Sequence, residues 1–377
     1  MTFQLPMTSG KLWRVVGVMS GTSADGVDAV CIEVDPTCFA SGRPFRSLRG
    51  HHYEAYPNEL RSEILQATQD TLRISQLTCL QRTLGDCHAR CVQTLLRADP
   101  VPVDLISLHG QTVQHHPHAG ATLQLADPYV MAKATGVPVI WDLRRVDLAY
   151  GGQGAPLVPQ TERWLRGSDT SWVALNLGGI ANVTIWDQHQ LRAWDTGPGM
   201  SLLDIAASWW LTTAYDLDGA RASGQVHDEW IREGLQDPYF SRPRPKSTGR
   251  EYFGSSWLQA RRSTLESWPL EDRLATLAAF TAQSIVHELK REGIPEACSG
   301  WVSGGGSAHT RLWQELQQRL PELSWKLDTS LPAGAREAVS WALLGAASAA
   351  GQPGNHPEVT GASQSLQLGS WVFPQLG

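Results

Sequence analysis

Asp195 stands in Asp195-Thr196-Gly197-Pro198-Gly199, at the end of a short apolar run and directly before a glycine turn. A carboxylate there can take a proton from water, or it can cap the helix expected to follow. Gly21, Thr22 and Ser23, within GVMSGTSADGVDAV (residues 17–30), form a turn between two apolar runs. Backbone N–H groups at such a turn converge on an anion, and the hydroxyls add donors. The same residues also suit a tight hairpin. There is no GxxxxGK[ST] here and no lysine, so the turn is not a Walker A loop. Gly178 and Gly179 repeat the device in LGGIAN (177–182). Gly304, Gly305 and Gly306 precede a helical stretch, where exposed N–H groups attract phosphate. Four glycine turns of this kind in one chain favour nucleotide binding. Two polar clusters also follow apolar runs: His109-Gly110-Gln111-Thr112, and Asp142-Leu143-Arg144-Arg145. An arginine there can read a carboxylate with its fork, or form a surface ion pair.

These groups need elements to hold them. Residues 12–18 and 27–34 are short, β-branched and bounded by turn residues, and so predict two strands of a hairpin. Residues 58–98 carry apolar side chains at three- and four-residue steps and predict helix. Short strands are expected over 104–109, 123–125 and 137–141. The run 151–156 is almost entirely Gly, Ala and Pro, and predicts the crossing between domains. The pattern then restarts. Strands are expected at 172–177 and 183–186, with helices at 201–211, 274–289, 310–320 and 337–350. Each half opens with an apolar strand, a glycine turn and a second strand. The expected fold is therefore α/β, with two facing ribonuclease-H-like lobes and an interdomain cleft, as in the hexokinase and actin type of ATPase. The expected domains are 1–145, completed by 355–377, and 146–354.

Composition narrows the function classes. The chain has 377 residues, a formal net charge of −6 and 18% charged residues, which argues against a nucleic-acid binder. No run approaches the ~18 apolar residues of a membrane span. The N-terminus shows no signal-peptide pattern, so a cytoplasmic protein is expected. The six cysteines form no CxxC pair. Cys87-His88 with Cys91 reads as one helix face rather than a metal cluster, and His115, His116 and His118 read as loop residues. Much of the excess among the 35 glycines falls in the turns just described, whereas the 16 tryptophans carry no evident role beyond core filling.

The longer motifs are more specific. GVMSGTSADGVD (17–28), HGQTVQHHP (109–117), WDLRRVDLAYGGQGAPLVP (141–159), LNLGGIANVT (175–184), WDTGPGM (194–200), DPYFSRPRPKSTGREYF (237–253), VSGGGSAHTRL (302–312) and GNHPEVTGASQSLQLG (354–369) resemble the anhydro-N-acetylmuramic acid kinases, in the family's order. The resemblance implies an enzyme that opens 1,6-anhydro-N-acetylmuramic acid with water and phosphorylates O6 from ATP. It implies Asp195 as general base. It implies ATP binding by Gly21, Thr22, Ser23, Ala24, Asp25, Gly26, Val27 and Asp28, by Gly178 and Gly179, and by Gly304, Gly305 and Gly306. Gln111, Thr112 and Arg144 match the family's sugar positions, with Arg145 the alternative to Arg144. Mg²⁺ is expected with ATP, held by Asp25 or Asp28, and the choice stays open. The expected partners are the sugar and ATP, with no nucleic acid and no membrane, and a homodimer is the assembly considered. Levoglucosan is the alternative sugar, and a silent ATP-binding sensor is the alternative class. The chain departs from the family's pattern at Leu143, Met200, Thr310 and the 332–337 stretch.

Overall fold

Successive buried valines at 15, 16 and 18 describe a strand covered on both faces. In the computed structural model, which describes residues 11–296, 298–332 and 334–375, that strand is β1 (Trp13–Ser20). It pairs antiparallel with β2 (Gly26–Val34), and β2 with β3 (Phe45–Ala55). On its other side β1 runs parallel to β4 (Leu105–His116). β5 (Ala121–Leu125) folds back on β4, and β6 (Val139–Trp141) lies parallel to it. Val16 and Val18 join Leu80, Leu84 and Val92 of the Ile74–Ala98 helix in one core. Val15 packs on the opposite face with the Ala335–Ala349 helix. Gly17 lies against Ala338 and Ala342 of that helix, so closely that a Cβ would strike its backbone. The alanine-rich composition and Gly17 together permit this approach.

A second sheet repeats the order. β7 (Trp172–Leu177) pairs antiparallel with β8 (Ile180–Trp186), and β8 with β9 (Leu191–Pro198). β10 (Ser299–Ser303) lies parallel to β7 and to β11 (Ser324–Leu327). The order β9-β8-β7-β10-β11 matches β3-β2-β1-β4-β6, the ribonuclease-H-like arrangement expected for both halves. A final strand, β12 (Ser370–Val372), adds to β6 at the edge of the first sheet. The second core joins Val173, Leu175 and Leu202 to Leu277 and Phe280 of the Leu270–Glu292 helix.

The chain divides after Ser168 and again after Ser330, where the sequence pattern placed the boundaries at 145/146 and 354/355. Residues 146–168 and 331–354 stay with the first unit because their helices complete its core. Leu157 and Trp164 pack with Phe39 and Trp341, and Thr161 Oγ1 donates to Ser340 Oγ at 2.8 Å. The Gly-rich run at 151–156 is thus internal to the first unit, not the crossing. The 58–98 stretch is two helices, Asn58–Thr68 and Ile74–Ala98. His115 and His116 lie in β4 rather than in a loop, because β5 pairs with that end of the strand. The first ten residues, read as lacking a leader, Ala333 of the 332–337 stretch and the last two residues of 355–377 lie outside the described residues. All six cysteines are free. Among the described residues no helix is long and apolar enough to cross a membrane.

Candidate functional site

In the first unit the β1–β2 turn is held from below. Gln111 is fully buried on β4; its Oε1 accepts from Ser20 Oγ at 2.5 Å and its Nε2 donates to the Gly21 carbonyl at 3.0 Å. Tyr56 OH lies 2.9 Å from Ser20 Oγ and 2.8 Å from His88 Nε2. Gln111 was expected to touch sugar. Its amide is instead engaged with the turn, because β4 points this side chain at the base of the hairpin. Thr112, the next residue, is half-buried and accepts from Gln124 Nε2 at 3.2 Å. At the turn's tip Thr22, Ser23 and Asp25 are exposed, with Ser23 Oγ donating to Asp25 Oδ1 at 2.8 Å. Ala24 has a positive φ of 52°, and it packs with Val27 in the core. Their side chains therefore face inward, and only their backbone is free to meet a ligand.

Asp28 marks the hairpin's far side. Its Oδ1 lies 2.6 Å from His51 Nε2. Burial raises its pKa above the ordinary carboxylate value, His51 pulls it down, and the charge of Asp25 pushes it up again. Glu337, at the start of the alanine-rich helix, is solvent-accessible. Partial desolvation raises its pKa too, opposed by Arg144 and reinforced by Asp28 and Asp25. Three carboxylates thus share one field in this unit. The sequence pattern assigned a role to Asp25 and Asp28 but not to Glu337, which stood out only as the acidic residue kept in the 332–337 stretch.

Arg144 is turned inward. Its Nε and Nη2 donate to His109 Nε2 at 3.2 and 3.1 Å, and its Nη1 donates to the Gly154 carbonyl at 2.9 Å. The guanidinium sits 4.9 Å from the Trp341 ring centroid, a cation–π contact. Arg145 is exposed instead and pairs with Asp142 at 2.5 Å. A residue missed in the sequence, Asp147, sets this corner. It is fully buried; its Oδ2 accepts from Gly154 N at 2.7 Å, and its Oδ1 from Asn355 Nδ2 at 2.8 Å and Thr360 Oγ1 at 2.7 Å. The GNHPEVTG motif therefore serves Arg144 through Asp147 and Gly154.

In the second unit Asp195 lies within β9, not at a helix cap. The following helix, Ser201–Trp210, has Met200 at its cap position with no side-chain cap bond. Asn182 of β8 pairs with Asp195 while Ala181 pairs with Gly197, so Thr196 is an extra residue, a β-bulge. Bulges re-aim neighbouring side chains. Here Thr196 is buried and its hydroxyl donates to the Ala181 carbonyl at 3.2 Å. Asp195 Oδ2 accepts the Thr248 N–H at 2.9 Å. Burial pushes the Asp195 carboxyl up to about 6; the Thr248 bond lowers it and the charge of Glu251 raises it.

The glycine turns of this unit differ from one another. The carbonyls of Gly178 and Gly179 accept the N–H groups of residues 199–201 at 2.9–3.0 Å. This consumes donors at the start of the Ser201–Trp210 helix. Gly304 and Gly305 are exposed, while Gly306 is buried over Met200 and Leu177. The departure at Met200 is thus a packing residue beneath the turn. These glycines open only a four-residue 3₁₀ turn, Gly305–Ala308, rather than an α-helix. The next helix, Thr310–Arg319, is capped by His309 Nδ1, which accepts from Leu312 N at 3.2 Å.

Cys87, His88 and Cys91 sit on the buried face of one helix, as the periodicity predicts. Cys91 does approach His52 and Glu54, their donor atoms lying within 4.8 Å of one another. Arg90 already pairs with Glu54 at 2.7 Å, and burial pushes the Cys91 thiol up to about 12. That corner is an ion pair beside a protonated thiol.

Known proteins match this chain over nearly its whole length. The family model described as anhydro-N-acetylmuramic acid kinase matches residues 13–375. The anhydro-N-acetylmuramic acid kinase of Synechococcus sp. (strain CC9605) is 39% identical over 381 residues, covering 95% of this chain and 99% of that protein. The protein of the same name from Shewanella sp. (strain MR-7) is 38% identical over 368 residues, covering 94% and 97%.

Proposed function

The chain belongs to the anhydro-N-acetylmuramic acid kinase family, and from that premise we propose which of its residues carry the reaction. The enzyme is a phosphotransferase with an alcohol acceptor. It opens 1,6-anhydro-N-acetylmuramic acid with water and places the γ-phosphoryl of ATP on O6, giving N-acetylmuramic acid 6-phosphate and ADP, a step of peptidoglycan recycling.

Asp195 is the general base. Water attacks C1 and gives a proton to Asp195; the C1–O6 bond breaks, and O6 takes the phosphoryl group as ADP leaves. The observation that carries this role is the carboxylate itself. It sits on a bulged strand, accepts the Thr248 N–H at one oxygen, and is pushed up to about 6. A base with that value is ionised near neutral pH yet basic enough to accept a proton as the bond to water forms.

Arg144 recognises the lactyl carboxylate of the sugar. His109, Gly154 and Trp341 hold its guanidinium, so little side-chain freedom is lost on binding. Thr112 adds a hydroxyl. Backbone N–H groups of residues 21–28, 178–179 and 304–306 meet the nucleotide phosphates, with the hydroxyls of Thr22 and Ser23 beside them. Mg²⁺ fits the first unit by the chemistry of the donor set. Asp28 and Glu337 are both raised in part by neighbouring negative charge, the field a hard cation relieves. Asp25, Asp28 and Glu337 would hold it, directly or through water. When bound, such an ion neutralises phosphate charge.

The test is phosphorus NMR of the enzyme with ATP, Mg²⁺ and 1,6-anhydro-N-acetylmuramic acid. A sugar 6-phosphate forming in step with ADP is expected. Product only from levoglucosan reassigns the sugar, and nucleotide binding without any turnover leaves a sensor.

A further inference from the structure

The groups around Asp195 converge on one buried ion pair. Glu288, on the Leu270–Glu292 helix, has no exposed surface. Its Oε1 accepts from Lys246 Nζ at 2.8 Å, and its Oε2 accepts from Trp194 Nε1 at 3.0 Å. Arg291 approaches the same carboxylate at 3.4 Å. Lys246 is only 9% exposed and also donates to the Tyr239 carbonyl at 3.3 Å.

Trp194, Lys246 and Tyr239, unlike Arg291, touch Asp195 or adjoin it. Trp194 precedes it in β9. The Lys246 carbonyl accepts the Asp195 N–H at 3.4 Å. Thr248, two residues further on, supplies the N–H at Oδ2. Tyr239 donates its hydroxyl to the Asp195 carbonyl at 2.6 Å. The backbone of Asp195 is thus tied at both N–H and C=O, and its side chain at one oxygen. Two of these ties come from residues that Glu288 holds, Lys246 directly and Tyr239 through Lys246, and the third comes from Thr248, two residues along the chain from Lys246.

We infer that Glu288 and Lys246 are positioning residues for Asp195, clamping β9 to the 246–248 segment so that one carboxylate oxygen stays on the Thr248 N–H and the other is left for water. This rests on Asp195 being the base. Stability alone does not call for the pair. A buried ion pair is a weak stabiliser, and apolar residues of the same volume often serve as well. What a carboxylate adds is direction: two oxygens, one aimed at Nε1 of Trp194 and one at Nζ of Lys246. An apolar pair fills the same space without fixing the register of the two segments.

The test compares kcat and KM of the full-length enzyme with those of two variants. Glu288→Asp keeps the charge but draws the carboxylate back by one methylene, so it cannot span Trp194 and Lys246 together. Its kcat should fall about tenfold or more, with KM for ATP and for the sugar within about twofold, since a shift of about 1 Å in a catalytic group costs up to about 10²-fold. An unchanged kcat overturns the inference. The second variant is the neutral pair Glu288→Gln with Lys246→Met, with kcat expressed per folded molecule by near-ultraviolet circular dichroism. A kcat still about tenfold down supports positioning, whereas wild-type kcat means that the pair serves only the fold and overturns it. Absence of product from the wild-type enzyme overturns the reading of Asp195 and this inference with it. An active wild type with indifferent variants overturns this inference alone.

Discussion

Arg144 gives two hydrogen bonds to a single imidazole nitrogen, Nε2 of His109, at 3.2 and 3.1 Å. His109 can accept there because its Nδ1–H is committed to the Gly110 carbonyl at 2.7 Å. Burial first, and the charge of Arg144 second, hold His109 well below its ordinary pKa. The ring therefore stays neutral across the physiological range and does not repel the guanidinium. Trp341 completes the corner, 4.4 Å from the His109 ring and edge-on to it.

Arg144→Ala should raise KM for the sugar about 10- to 100-fold, the range for a charge-assisted hydrogen-bonded contact of about 1.5–3 kcal/mol. KM for ATP should change little. Arg144→Lys should not rescue it, because an ammonium cannot reach His109 and Gly154 while presenting a planar fork. Steady-state kinetics with each substrate varied in turn checks both.

Asp195→Asn should lower turnover about 10²- to 10⁴-fold, the usual contribution of a positioned base. Calorimetric titration should still show ATP and sugar binding. Near-normal turnover in this variant would remove Asp195 from its assigned role.

The pH dependence follows from the same group. As the proposed base, Asp195 must be ionised to act, so kcat/KM should rise with pH through about 6 and level off above pH 7. Stability runs the other way. A carboxyl raised in the folded state costs stability above its folded pKa, and the cost vanishes below its unfolded value near 4. The shift corresponds to at most about 3 kcal/mol. Denaturant melts should therefore show Asp195→Asn more stable than wild type at pH 8, and equal to it below pH 4.

Gln111→Leu should cost about 1–3 kcal/mol of stability, because Ser20 Oγ and the Gly21 carbonyl lose a buried partner. ATP affinity should weaken more than sugar affinity, because Gln111 supports the β1–β2 turn proposed to meet the nucleotide phosphates. If instead sugar KM alone rises, Gln111 belongs to the sugar site after all.

Asp147→Asn should act on the sugar without touching it. Asn offers one acceptor oxygen where Gly154, Asn355 and Thr360 need two. Sugar KM should rise several-fold through the displaced Gly154 carbonyl, with kcat at saturation nearly retained.

Much of the fold was legible in the chain. Unbroken apolar runs marked the strands that have both faces covered, and glycine turns after β1 and β7 marked the repeat. The chemistry-bearing residue types were legible too: Asp195, the 21–28 turn and Arg144 were all singled out by their neighbours in sequence. Other features depended on partners far along the chain. The Gly-rich 151–156 run looks like a linker by composition. It is an internal corner because Asp147 binds Gly154 and the C-terminal Asn355 and Thr360. Trp341 reads as core filling by sequence, yet its ring faces the Arg144 guanidinium.

What the sequence determined by itself is local: which stretches alternate, where φ must turn positive, which side chains can hold charge. These follow from sterics and side-chain chemistry between near neighbours. Only the tertiary structure decided the direction and environment of those side chains. One strand register makes Thr196 a bulge and so aims Asp195; one sheet face turns Gln111 towards the β1–β2 turn. Glu288, on a distant helix, holds Lys246, whose carbonyl accepts the Asp195 N–H. Register and desolvation arise from pairing and burial between segments far apart in the chain, so no short window of residues contains them.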